Sequence, residues 1–241
     1  MNLHQLLPES SIYRNMMLLA LIVSFIIWTR RAKKDRRLML VFLGAVLGGF
    51  TGAKIVFILS EGWLYYGDPN FLFYLAAGKT IIGALFGGYI GIEIAKASVG
   101  YHKATGDWFA FIVPLGIASG RIGCLSQGCC QGILLGDSGN VWPAAAVELG
   151  FNLLMVAVLF PLRRIPSLQG QLFHLYLIAY GVFRFAHEFL RATEKPFLGL
   201  SGYQITAVIL VAFGIIRFRQ RQQARAAGTL ELENPQAAQA T

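Results

Sequence analysis

Seven apolar runs, each followed by a short polar stretch, dominate the chain: approximately residues 12 to 29, 38 to 59, 71 to 95, 108 to 125, 142 to 162, 171 to 190 and 203 to 218. Each is close to the ~20 helical residues that cross a bilayer's hydrocarbon core. They are continuous rather than alternating, which predicts membrane-spanning α-helices and not barrel strands. Glycines recur every four residues at Gly44, Gly48 and Gly52, and again at Gly83, Gly87 and Gly91, with Gly116 and Gly120 in the fourth run. Such stripes predict faces where neighbouring helices approach closely.

The composition agrees with this pattern, since 56% of the 241 residues are hydrophobic and only 14% charged. That excludes an ordinary soluble domain. The net charge of +9 sits in short clusters between apolar runs, which points to anionic lipid head groups rather than nucleic acid. Threading seven spans puts RRAKKDRR (30 to 37), Lys96, Lys103, Arg163, Arg164 and the basic residues of RFRQRQQAR (217 to 225) on one side. Only Arg14, Arg191 and Lys195 fall on the other. By the positive-inside rule the first side is cytoplasmic, so the amino terminus lies outside and the carboxyl terminus inside. The expected organisation is a seven-helix transmembrane domain over 1 to 218 and a basic, then disordered, tail over 219 to 241. The first run follows no basic segment and no small-residue cleavage site, and is read as a span rather than a removable signal.

Charges inside apolar runs need a partner or a function. They are Lys54, Lys79, Arg121 and Arg184, with Glu93, Glu148 and Glu188. Glu93 is three residues before Lys96, an interfacial pair. Arg184 and Glu188 are four apart and share a helix face with Tyr180 below and Arg191 above. Two readings stand for this pair: a packing salt bridge, or part of a polar site near the outer end of the bundle. Arg121 has no acid at i±4 and is flanked by Gly120 and Gly123, which would let the backbone bend and offer amides. A guanidinium with such amides suits a phosphate, and the alternative is an arginine that snorkels to the interface. All three cysteines fall in GRIGCLSQGCCQG (120 to 132). Buried inert thiols, or a disulfide from Cys124 to Cys129 or Cys130, both fit. A zinc site lacks a fourth ligand nearby, so no metal and no cofactor is expected.

The chain from about Leu38 onward resembles the prolipoprotein diacylglyceryl transferases of the bacterial inner membrane. The resemblance rests on GAKIVFIL (52 to 59), GKTIIGALFGGYIGIEIAK (78 to 96), GRIGCLSQGCCQG, WPAAAVE (142 to 148), YGVFRFAHEFLR (180 to 191) and GLSGYQ (199 to 204). It implies a multi-pass inner-membrane enzyme that moves the diacylglyceryl group of phosphatidylglycerol onto the lipobox cysteine of a lipoprotein signal peptide at the periplasmic face. On this resemblance Arg121 holds the lipid phosphate, and Arg184 and Glu188 stand near the reacting head group; Gly120, Gly123, Gly132 and Tyr180 are the further candidates for binding the lipid. The family's histidine in the glycine-rich segment is replaced by Ile82, its asparagine by Cys124 and an acidic residue by Cys129. His187, one turn from Arg184, is the remaining candidate base. Two other functions stay open: a phospholipid-binding paralogue without the chemistry, and a membrane thiol oxidoreductase using Cys124, Cys129 and Cys130.

Overall fold

The structure, a computed structural model, describes residues 11–136 and 139–232, except for the side chains of residues 11, 13 and 17. It is all-α: α1 (Ser11–Ala32), α2 (Arg37–Glu61), the short α3 (Phe71–Ala77), α4 (Ile81–Ser98), α5 (Gly106–Gln127), α6 (Ala144–Leu162), α7 (Leu172–His187) and α8 (Gly202–Ala226). Among the described residues six of these are long and apolar enough to cross a membrane: α1, α2, α4, α5, α6 and α8.

Two predicted spans come out differently. The run from 71 to 95 is not one helix, because α3 stops at Ala77 and the chain is extended at Gly78 before α4 begins. Thr80 holds the new start, its hydroxyl accepting from the Gly83 amide at 3.0 Å. The ammonium of Lys54 on α2 donates to the carbonyls of Leu75 (3.0 Å) and Ala76 at the end of α3. A cation at a helix C-terminus is stabilised there, which accounts for a lysine inside an apolar run. The run from 171 to 190 yields only the sixteen residues of α7, about 24 Å of helix, with a 3-10 turn over Glu188–Leu190.

The predicted boundary at 218 falls inside α8, whose helix carries Arg217, Arg219, Arg221 and Arg225 on to Ala226. The expected disordered tail lies outside the described residues from 233 onward.

α2 and α4 run antiparallel, whereas α5 lies parallel to α7 and α4 parallel to α8, and glycine sets the closest seam. A Cβ at Gly48 would stand 2.4 Å from the Gly87 carbonyl oxygen, and one at Gly52 would stand 2.4 Å from that of Gly83. Backbone therefore lies on backbone along α2 and α4, as the four-residue spacing predicted. The stripe does not extend to Gly116, where an added Cβ would meet nothing. α7 is the buried centre: Leu172, Tyr176, Leu177 and Tyr180 are fully enclosed, together with Leu210 of α8. Because α7 is wrapped by its neighbours, its polar side chains meet protein rather than lipid.

Candidate functional site

At one end of the bundle the C-termini of α5 and α7 meet the N-termini of α6 and α8. Four buried charges converge there. Arg121 of α5 reaches Glu148 of α6, with Nη2 2.7 Å from Oε2. Arg184 of α7 lies 3.8 Å from the same carboxylate and 2.8 Å from Oε2 of Glu188. Arg191 adds a 3.6 Å contact to Glu188. Both carboxylates are completely shielded from solvent. At the rim the Tyr203 ring lies 5.8 Å from the Arg184 guanidinium carbon.

A hydroxyl donates to the second oxygen of each carboxylate. Tyr180 donates to Oε1 of Glu148 at 2.7 Å, and Ser201 donates to Oε1 of Glu188 at 3.4 Å. Behind Glu148, Asn152 donates to its backbone carbonyl at 2.7 Å and accepts from the Tyr176 hydroxyl at 2.7 Å. Buried carboxylates with this many donors are fixed in place. Not all the guanidinium capacity is used. The Nε of Arg121 and the Nη1 of Arg191 are buried and make no hydrogen bond among the described residues.

The loop between α5 and α6 closes the site. Gly132 donates to the Trp142 carbonyl at 2.9 Å, Trp142 returns a bond to Ile133 at 2.9 Å, and Ile133 donates to Leu190 at the end of α7 at 3.0 Å. This hairpin-like turn is pinned to α7 through Gly132, where a Cβ would lie 2.4 Å from the Leu190 oxygen. Gly132 is thus required by backbone packing.

Several expectations change. Arg121 is not free of acidic partners: helix rotation gives it Glu148, twenty-seven positions away and invisible to an i±4 search. Gly120 and Gly123 do not bend the chain, since α5 continues through both to Gln127 and their amides belong to the helix ladder. Neither offers an amide to an anion. His187, the candidate base, is buried, and its Nε2 accepts from the Trp142 indole N–H at 3.1 Å. An indole nitrogen only donates, so the basic lone pair of His187 is engaged and its ring holds the loop. The ring also stacks on Phe183, centroids 4.9 Å apart. Arg184, Glu188 and Tyr180 do come together, as their four-residue spacing implied. The residues missed are Glu148, Asn152, Tyr176 and Ser201. Glu148 was in view as a charge inside a span, and its four-residue spacing to Asn152 put both on one face; that pairing was the available signal.

Residues 5–219 match the family model described as prolipoprotein diacylglyceryl transferase. A phosphatidylglycerol–prolipoprotein diacylglyceryl transferase from Dehalococcoides mccartyi is 32% identical over 240 residues, covering 89% of this chain and 91% of that protein. Proteins of the same name from Clostridium perfringens and Clostridium tetani are 29% and 28% identical, covering 79% and 86% of this chain and 81% and 91% of theirs. The helical bundle and its buried arginine–glutamate cluster therefore sit in a chain that belongs to the prolipoprotein diacylglyceryl transferase family.

Proposed function

We propose that this chain transfers the diacylglyceryl group of phosphatidylglycerol to the lipobox cysteine of a prolipoprotein, at the periplasmic face of the bacterial inner membrane. In this reading α7 completes a seventh span, with the amino terminus outside. The observation that carries it is the set of three guanidinium groups, the buried Arg121 and Arg184 and the partly exposed Arg191, with N–H groups left over at Arg121 and Arg191. A phosphate oxygen can take those donors without dissolving the pair with Glu148, because one guanidinium serves two acceptors. The names of the relatives supply the substrates.

In the reaction a thiolate attacks the glycerol carbon that bears the phosphate. An S–C bond forms, the C–O bond breaks, and the electron pair leaves on the oxygen of glycerol phosphate. The arginines stabilise the charge that collects there. Arg121 and Arg191 hold the phosphate, Arg184 stands between the two carboxylates, and Glu148 and Glu188 keep the cations aligned.

On α4 the family's histidine position is held by Ile82, buried among apolar neighbours, and His187 has its lone pair engaged. In this reading the acceptor thiol ionises without a histidine base. The test is transfer of labelled lipid to a lipobox peptide by purified protein across pH. For a thiol of pKa about 8.5 the ionised fraction, and with it the rate, rises about 25-fold from pH 7 to pH 9. A flat profile with ordinary turnover would reveal a base. Bound lipid with no transfer at any pH would favour the second reading, a lipid-binding paralogue, to which Ile82 lends support. The orientation is tested by alkaline phosphatase fusions: active after Asp68 and inactive after Arg164, with the reverse pattern overturning the periplasmic placement.

A further inference from the structure

The three cysteines are the whole of the chain's thiol content, and the fold gathers all of them at the end of α5. The gathering begins with how that helix stops. Gly128 takes a left-handed conformation (φ +63°), its amide donates to Leu125 at 3.3 Å, and the Cys129 amide donates back to the Cys124 carbonyl at 3.2 Å. This pair of bonds is a Schellman ending, in which the side chains at the positions of Cys124 and Cys129 face each other. The next residue, Cys130, is also left-handed (φ +59°), an uncommon conformation for a residue with a Cβ. It turns the third thiol back toward the other two instead of away into the loop.

The sulfurs end within 4.8 Å of one another, with Cys124 and Cys130 3.9 Å apart. Three thiolates around one ion in a plane, each at about 2.3 Å from it, stand about 4.0 Å apart. Cys124 is buried, Cys129 half-buried and Cys130 exposed, so the group has a protected floor and an open approach. A cation also stands beside it: Nη1 of Arg121 donates to the Cys124 sulfur at 3.6 Å, which offsets the negative charge that three thiolates bring.

We propose that Cys124, Cys129 and Cys130 form a three-coordinate site for a thiophilic monovalent ion, Cu(I). No fourth Cys, His, Asp or Glu joins the group among the described residues, and structural zinc asks for four ligands. Soft sulfur donors suit both Cu(I) and zinc, and a set of three, one short of zinc's four, favours Cu(I). Each thiol that binds releases its proton to solvent as the sulfur–copper bond forms. The ion would tie the last turn of α5 to the start of the loop over the charged cluster. The site is independent of the transferase reading, and its test uses no activity.

The experiment titrates full-length, reduced protein in detergent, without oxygen, with Cu(I) held by a coloured competing chelator. The expected result is one Cu(I) per chain, bound at least 10-fold more weakly after each of Cys124→Ser, Cys129→Ser and Cys130→Ser, and lost in the triple variant. Because Cys130 is exposed, its serine variant keeps the fold, which an unchanged size-exclusion profile checks. Undiminished binding in Cys130→Ser would overturn three-coordination, and undiminished binding in the triple variant would overturn the site. Zn(II) displacing Cu(I) at equal concentration would overturn the choice of ion.

Discussion

Two clusters of the same residue types occupy opposite ends of the bundle. At one end Arg121, Arg184 and Arg191 meet Glu148 and Glu188; at the other Glu93 meets Lys96 at 3.4 Å, Arg217 at 3.0 Å and Arg221 at 3.8 Å. Contact distances overlap, yet the surroundings differ. Both carboxylates of the first cluster are fully buried, whereas the side chain of Glu93 is 34% exposed. Water and salt can replace any partner that Glu93 loses, and nothing can replace a partner lost by Glu148. Distance alone therefore says little about what an ion pair contributes. Burial decides whether breaking it is a catastrophe or an adjustment.

The largest loss is expected of Glu148→Gln. It leaves Arg121 without its 2.7 Å partner and removes half of the negative charge around Arg184. Leaving a buried cation unpaired costs about 3–5 kcal/mol, so the detergent-solubilised variant should melt well below the parent and lose transfer. Adding Arg121→Gln should restore part of the stability and none of the activity, because the orphaned charge is gone but so is a phosphate ligand. A double variant no more stable than Glu148→Gln would show that the two side chains act separately.

A smaller effect is expected of Tyr180→Phe. The ring and its packing survive while the 2.7 Å bond to Glu148 is lost, and a hydrogen bond to a buried charge contributes about 1.5–3 kcal/mol. Glu148 keeps Arg121, so the melting shift should fall between those of Glu148→Gln and the parent, with transfer reduced rather than abolished. A loss equal to that of Glu148→Gln would move the centre of the cluster from the arginine to the hydroxyl.

Much of this contrast was legible in the sequence, and the rest was hidden for definite reasons. Arg184, Glu188 and Tyr180 lie on one helix, where spacing alone fixes the face. The glycines of α2 and α4 were legible for the same cause. The Arg121–Glu148 pair joins two helices, and no periodicity reports how one helix is rotated against another. The break at 78–80 was masked by apolar residues on both sides, and its reason, Lys54 reaching across to the end of α3, is again a contact between elements. The glycines beside Arg121 suggested a bend because glycine permits one; α5 runs straight past them, stopping only where Gly128 turns left-handed. Arg217 and Arg221 looked like a loose basic tail, and become partners of Glu93 only because α8 carries its helix eight residues beyond the apolar run.

The mildest change expected is Glu93→Gln, the counterpart of Glu148→Gln at the wet end. Arg217 keeps two other acceptors, the Tyr89 hydroxyl at 2.8 Å and Oε1 of Gln220 at 2.9 Å. Arg221 and Arg217 are partly open to solvent, so the charge they lose is taken up by water and counter-ions. Lys96 is the exception, with its ammonium largely buried against Glu93, and it sets the size of the effect. An exposed pair contributes up to about 1 kcal/mol and less as salt rises, so the melting temperature should drop slightly in low salt and recover toward the parent at high ionic strength. Transfer should not change, since Glu93 stands at the end of α4 remote from Arg121. Melting curves at low and high salt, run beside those of Glu148→Gln, make the check. A salt-independent loss as large as that of Glu148→Gln would mean that Lys96, and not solvent exposure, governs this end of the bundle.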